Sequence, residues 1–262
     1  MQIEGIPITA ATIINCYKRY YPQFWNQVSS QNLFHYLNLW GIRVSTCDTS
    51  LPDDMVGGIR VNNLNFYEVL VSSASTDPSP ALIANPLSDA RRMGGAAFVK
   101  EGQYSYRYIG TKHPTWKPHP AFCPTAPMTV YRWMPTAAEI AAWKKQKKPL
   151  STAFEEAVKA GKVKISKSPD TCIHRAWSTT KFYNDSAGCQ ILSDYKTLNE
   201  LGNWAKSHID KKYGNVFMYT LFTKQQFVDA NKVNVFAQSP VSSNPQQGTG
   251  NFILDILNRI SK

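Results

Sequence analysis

The chain has 262 residues, a formal net charge of +11, 43% hydrophobic residues and 12% aromatics. That hydrophobic content excludes global disorder, which requires low hydrophobicity with dense charge, and the length suits one large domain or one domain with a small module. No apolar run reaches the roughly 18 residues of a transmembrane helix. Residues 1–11 include Glu4 and no Lys or Arg, so no signal peptide is expected and synthesis is placed in the cytoplasm.

Ala10, Ile13, Ile14, Tyr17 and Tyr20 recur at helical spacing, and Pro22 is expected to stop that helix. Ser30 can cap a second helix through Leu33, Phe34, Leu37 and Trp40, with Gly41 as its stop. Together these predict a helical N-terminal module over residues 1–45. Residues 53–135 change character: short β-rich runs (66–71, 96–99, 104–109, 128–133) alternate with Pro, Gly, Ser and Asp clusters. Thr136 and Glu139 form a capping box that predicts a helix to about residue 148, ended by Pro149. A further helix is predicted near 152–160, then strands at 171–174 and 189–192, a helix at 197–211 and a buried strand at 216–222. Residues 238–250 read as a Ser/Pro/Gln/Gly linker. Phe252, Ile253, Ile256, Leu257 and Ile260 then mark a short amphipathic helix, able to dock on its own domain or to bind a partner.

The charge is uneven. Residues 144–167 hold eight lysines and two acids. Lysine is a strongly hydrated point charge, whereas readout of bases or phosphates favours planar arginine. A solvated helical face and docking to a diffuse anionic surface, such as a cell-wall polymer, are therefore both better readings than nucleic-acid recognition.

The five cysteines, at 16, 47, 123, 172 and 189, are an odd number without any CxxC pair. Thiols in a reducing compartment are the simpler expectation, leaving at least one cysteine with chemistry of its own. His174 and Cys189 lie fifteen residues apart, and Cys189 follows Ser186 and Gly188. A neighbouring imidazole can take the thiol proton and stabilise a thiolate. Gly188 lets backbone approach a reacting carbonyl, so that amides near Cys189 can hold an oxyanion. On spacing alone, a buried cysteine beside a turn glycine with an unrelated histidine is equally open. Cys172 shares a strand face with His174 and reads as a packing residue or as a thiol able to cap Cys189 by oxidation. A zinc site of Cys172, His174, Cys189 and His113 has no ligand pair at a usual metal spacing, so no metal and no cofactor is expected. Tyr104, Trp116 and Trp177 are candidates for lining a cleft.

The order His174, Ser186, Gly188, Cys189 resembles the signature of the L,D-transpeptidase catalytic domain. That resemblance implies Cys189 as nucleophile on peptidoglycan stem peptides, His174 as general base, Gly188 and Cys189 amides at the oxyanion site, and Ser186 as the serine of the motif. In that family the carbonyl of the residue after the base, here Arg175, orients the imidazole. The chain is more similar still to a divergent form of this domain found in bacteriophage and prophage proteins. The shared pieces, in order, are Thr76-Asp77-Pro78, Gly102-Gln103-Tyr104, Gly110 to His113, Thr129 to Arg132, Ile173-His174-Arg175, Ser186 to Gln190 and Tyr219-Thr220-Leu221. Arg175, Ala187 and Gln190 differ from the broad family and agree with this group. Cys172 stands where the group usually has Asn.

The resemblance implies an α+β fold, a mainly antiparallel β-sandwich of L,D-transpeptidase-like type with added helices, over about 53–236. Residues 237–262 would be linker and tail. It implies cysteine-dependent cleavage or acyl exchange at the cell wall or within a virion, without a cofactor. Arg175, His113, Tyr104 and Gln190 would support the site or contact substrate. The rival readings are a catalytically silent virion structural or adaptor protein, docking other virion proteins through its C-terminal helix, and a basic nucleic-acid-binding protein. No membrane span is expected.

Overall fold

Two short strands, β1 (Gln2–Ile3) and β2 (Ile6–Pro7), pair through a turn at Glu4 and Gly5. They lead into helix α1 (Ala10–Tyr20), whose first turn is closed by a reciprocal capping box between Thr9 and Thr12. The computed structural model describes residues 1–30, 37–45, 52–62, 64–84, 94–112, 118–169, 171–176, 186, 188–210 and 214–232. Pro22 does more than end α1, because it opens α2 (Pro22–Ser30). The first N–H of a helix has no intrahelical partner, so proline loses nothing there.

The helix predicted through Trp40 gives way to a strand. Asn38–Arg43 is β3, and every one of its residues is buried. Leu39 belongs to the main core, while Trp40 and Ile42 on the opposite face are also fully buried. A strand covered on both faces loses the two-residue alternation that identifies strands in sequence. Gly41, expected as a helix stop, lies mid-strand, where a side chain would collide with the Tyr219 hydroxyl.

β3 is one stave of a closed barrel. The other staves are β4 (Asp54–Val61), β5 (Tyr67–Ser75), β7 (Gly102–Lys112), β8 (His119–Pro124), β11 (Ile173–Arg175), β12 (Gln190–Leu192) and β13 (Phe217–Thr223). Their order around the ring is β11-β12-β5-β4-β3-β13-β7-β8. Neighbours are antiparallel except β11 with β12 and β13 with β3, which are parallel. The α+β class and the mainly antiparallel sheet are as expected. In place of two facing sheets, the large sheet closes on itself where Ile173 of β11 pairs with Phe122 of β8.

A smaller sheet, ordered β10 (Lys164–Ser168), β9 (Met128–Trp133), β6 (Ala96–Val99), lies beside the barrel. Its faces alternate cleanly. Ala97, Val99, Met128 and Val130 join the barrel core, whereas Ala96, Phe98 and Trp133 pack with Phe154 and Trp143. Those last two come from α5 (Leu150–Lys159) and α4 (Ala137–Gln146). The Thr136–Glu139 capping box forms as predicted, and Lys147 closes α4 in the left-handed conformation.

Beyond α3 (Pro80–Ala84), helix α6 (Tyr195–Asp210) adds Leu198, Leu201, Trp204 and Ala205 to the barrel core. Helix α7 (Lys224–Asn231) packs on α1, β13 and β3. Residues Met1–Lys232 thus form one compact unit, and the first 45 residues are not a separate module. The reason is β3, which pairs with both β4 and β13 and so makes that segment part of the ring. The expected linker and C-terminal helix lie outside the described residues.

Candidate active site

β11 carries His174, and Cys189 immediately precedes the neighbouring strand β12. Their parallel register sets Ile173 beside Gln190 and His174 beside Ile191. The Gln190 N–H donates to the Cys172 carbonyl at 2.8 Å, a bond of the Ile173–Gln190 pair, and the same register one position back sets Cys189 beside Cys172. Side chains alternate along strands, so Ile173 and Gln190 point into the barrel while Cys172, His174 and Cys189 share its outer face. The clusters agree, because Ile173 is in the barrel core and Cys189 packs with Cys172 and Ala121 outside it. His174 is thus two residues along the neighbouring strand from the position facing Cys189.

The His174 ring is oriented by its own chain. Nδ1 lies 2.8 Å from the Arg175 carbonyl oxygen. A carbonyl only accepts, so Nδ1 carries the hydrogen and donates, and in the neutral ring Nε2 holds the lone pair that can take a proton. This is the role that the resemblance assigned to the carbonyl of Arg175. The ring is buried and lies 5.7 Å, centroid to centroid, from that of His119 on β8.

The turn before Cys189 is tied by Ser186. Its hydroxyl donates to the Cys189 carbonyl at 2.5 Å and accepts from the Gly188 N–H at 2.9 Å. The Ser186 carbonyl in turn accepts from the Ser79 N–H at 2.9 Å. Ser186 therefore shapes the turn. Gly188 is placed differently from expectation: its N–H is spent on Ser186 rather than presented as an oxyanion donor. Its requirement for glycine is steric, because a Cβ would come 2.7 Å from the Ala97 Cβ and 2.8 Å from the Ala97 carbonyl oxygen. Gly188→Ala should push the turn off β6, cost about 1–3 kcal/mol, and change the rate at which Cys189 is alkylated. Thermal melting and thiol-labelling kinetics read both effects.

Below this turn a buried ionic cluster fixes the Thr76-Asp77 segment. Arg43, at the end of β3, contacts Asp77 at 2.7 Å and Glu101 at 2.8 Å. It also donates to the carbonyl oxygens of Thr76 and Val99. Burial works against its charge, but Asp77, Glu101 and Asp54 outweigh that and hold its pKa above the ordinary arginine value. Asp54 accepts from the Thr76 N–H and hydroxyl at 2.8 and 2.7 Å. Asp77 lies two residues before Ser79, so the cluster anchors the segment between β5 and the helix Pro80–Ala84 that holds Ser186.

Two residues expected near substrate have structural work instead. Gln190 is fully buried inside the barrel, where its Oε1 accepts from the Tyr219 hydroxyl. The register that turns Cys189 outward necessarily turns Gln190 inward. Tyr104 also packs against the barrel core, and its hydroxyl donates to the Lys100 carbonyl at 2.6 Å. Arg175 supports the site through its carbonyl, and its guanidinium lies over the Tyr195 ring at 4.9 Å. His113, Trp116 and Trp177 lie outside the described residues.

The cysteines depart furthest from expectation. Cys123 and Cys172 form a disulfide, with Cα atoms 4.2 Å apart. Ile173 pairs with Phe122 across antiparallel β11 and β8, so the two cysteines face each other one position on, at the close spacing of a non-hydrogen-bonded pair. They are 49 residues apart in the chain, and nothing local in the sequence links them. His119, whose ring lies 5.7 Å from that of His174, is flanked by prolines and belongs to none of the motifs quoted above. Cys16 is fully buried, and burial pushes its pKa up to about 12. Its thiolate fraction at pH 8 is then on the order of 10⁻⁴, whereas Cys189 is a partly exposed thiol. Iodoacetamide on the native protein should label Cys189 and leave Cys16 unmodified until unfolding, as read by peptide mass mapping.

No known protein-family model matches the chain, and no curated protein matches it.

Proposed function

We propose that the chain is a cysteine-dependent acyl-transfer enzyme acting on peptidoglycan stem peptides, with an L,D-transpeptidase-like site. The observation that carries this reading is the pair itself. Cys189 and His174 share the outer face of adjacent strands, and the imidazole tautomer is set by the Arg175 carbonyl. In the proposed first step the Cys189 thiol gives its proton to His174 Nε2. Its sulfur then bonds to the carbonyl carbon of a stem-peptide amide. Collapse of the tetrahedral species breaks the carbon–nitrogen bond, and His174 returns the proton to the departing amine. An amine or water then attacks the thioester. The substrate class rests on the ordered motifs shared with the phage and prophage group. The lysine-rich segment 144–167 would hold the enzyme against an anionic wall polymer, at the cell wall or as part of a virion.

One observation favours a second reading. The Gly188 N–H is already bonded to Ser186, which removes one expected oxyanion donor and suits a silent virion adaptor that keeps the fold as a binding module. Purified muropeptides incubated with wild type and with Cys189→Ala separate the two by mass spectrometry. New linkages or trimmed stems with wild type alone are expected. Unchanged profiles with both proteins would remove the enzymatic reading.

A further inference from the structure

Three cysteines lie in one row across the outside of the barrel. β8, β11 and β12 are consecutive neighbours in the ring. The Ile173–Phe122 pairing sets Cys172 opposite Cys123, and the Ile173–Gln190 pairing sets Cys172 beside Cys189. Cys123 and Cys172 are bonded to each other, and Cys189 packs against the cluster that they form with Ala121. One strand further, exposed Arg107 of β7 faces Cys123 in the register.

We propose that this row is a thiol–disulfide exchange site controlled by small thiols and disulfides. The Cys189 thiolate attacks the Cys172 sulfur, a Cys172–Cys189 bond forms, the Cys172–Cys123 bond breaks, and Cys123 leaves as a thiolate. One sulfur–sulfur bond replaces another, so the step needs no oxidant, and the proton released from Cys189 is regained at Cys123. Attack at sulfur proceeds in line with the leaving group. The strand order supplies that line, because Cys172 is the middle residue and each lateral step is about 4.8 Å. A cationic residue paired with Cys123 in the register favours its departure, since a stabilised thiolate leaves faster. The partial exposure of Cys189 admits a small thiol or disulfide from solvent.

Exchange gives the site two states. With Cys123–Cys172 bonded, Cys189 is a thiol. With Cys172–Cys189 bonded, Cys189 is masked and Cys123 is the thiol. For the acyl-transfer reading this is an on–off device acting on the nucleophile. The exchange itself rests only on the placement of the three sulfurs, and its test reads connectivity rather than turnover.

The full chain is incubated at pH 8 across a graded series of reduced and oxidised glutathione, quenched in acid, digested without reduction and mapped by mass spectrometry. The expected result is a second isoform, with the fall in Cys189 thiol matched by an equal rise in Cys123 thiol and by a Cys172–Cys189 linked peptide. Cys189→Ser should lose that isoform. Cys123→Ser treated with oxidised glutathione should form Cys172–Cys189 and release two reduced glutathione molecules per molecule consumed. Only Cys123–Cys172 and fully reduced wild-type chains across the series, or a lasting glutathione adduct on Cys189 with Cys123–Cys172 intact, would overturn the proposal. Muropeptide turnover with no second isoform would leave the enzyme reading standing and remove this one, and the reverse pattern would do the opposite.

Discussion

On the proposed acyl-transfer reading, replacing Cys189 by alanine should lower muropeptide turnover by at least about 10³-fold, and toward 10⁶-fold if nucleophile and base act as one unit. The magnitude follows from the chemistry. Without the sulfur there is no covalent intermediate, and His174 is left orienting nothing that can attack. The fold should survive, because Cys189 sits at the margin of a small outer cluster rather than in the barrel core. Its thermal midpoint should move little, which separates loss of chemistry from loss of structure. Full activity in the alanine variant, with a normal melting curve, would remove Cys189 from the reaction.

Arg43→Met should destabilise the fold strongly. It keeps the aliphatic length but takes the guanidinium away from buried Asp77, and removes donors from the Thr76 and Val99 carbonyls. Breaking a buried pair from one side costs about 3–5 kcal/mol, which for a unit of this size lowers the melting midpoint by roughly 10 °C. Because Asp77 leads into Ser79, whose N–H holds the Ser186 carbonyl, Cys189 labelling should lose its site selectivity before global unfolding. A calorimetric scan alongside timed alkylation checks both parts. A midpoint within one degree or so of wild type would mean that Arg43 is dispensable to the fold.

The parts of this molecule that were legible in the sequence are those whose cause is local. The Thr136–Glu139 box started a helix where its spacing predicts, because both hydrogen bonds join residues three apart. The strands at and beside His174 and Cys189 were legible from their motif and turn residues. What escaped is non-local. β3 is covered on both faces and so resembled the end of a helix. His119–Pro124 forms a barrel stave although its prolines suggested a loop. The inward turn of Gln190 follows from register, which a motif does not carry. The Cys123–Cys172 bond joins strands whose adjacency exists only once the ring closes, and an odd cysteine count argued against expecting it.

Among the described residues the ring has no unpaired edge and the three-stranded sheet has two, one of them β10. Its lysines Lys164 and Lys167 flank Ile165, which is 65% exposed. An exposed strand edge bearing an apolar side chain is a template for a second chain to add to, and lysines on such an edge repel an incoming copy that carries the same charge. Part of the positive excess concentrated in this segment therefore has a use that involves no partner at all. Such a placement would disfavour pairing of concentrated copies along β10.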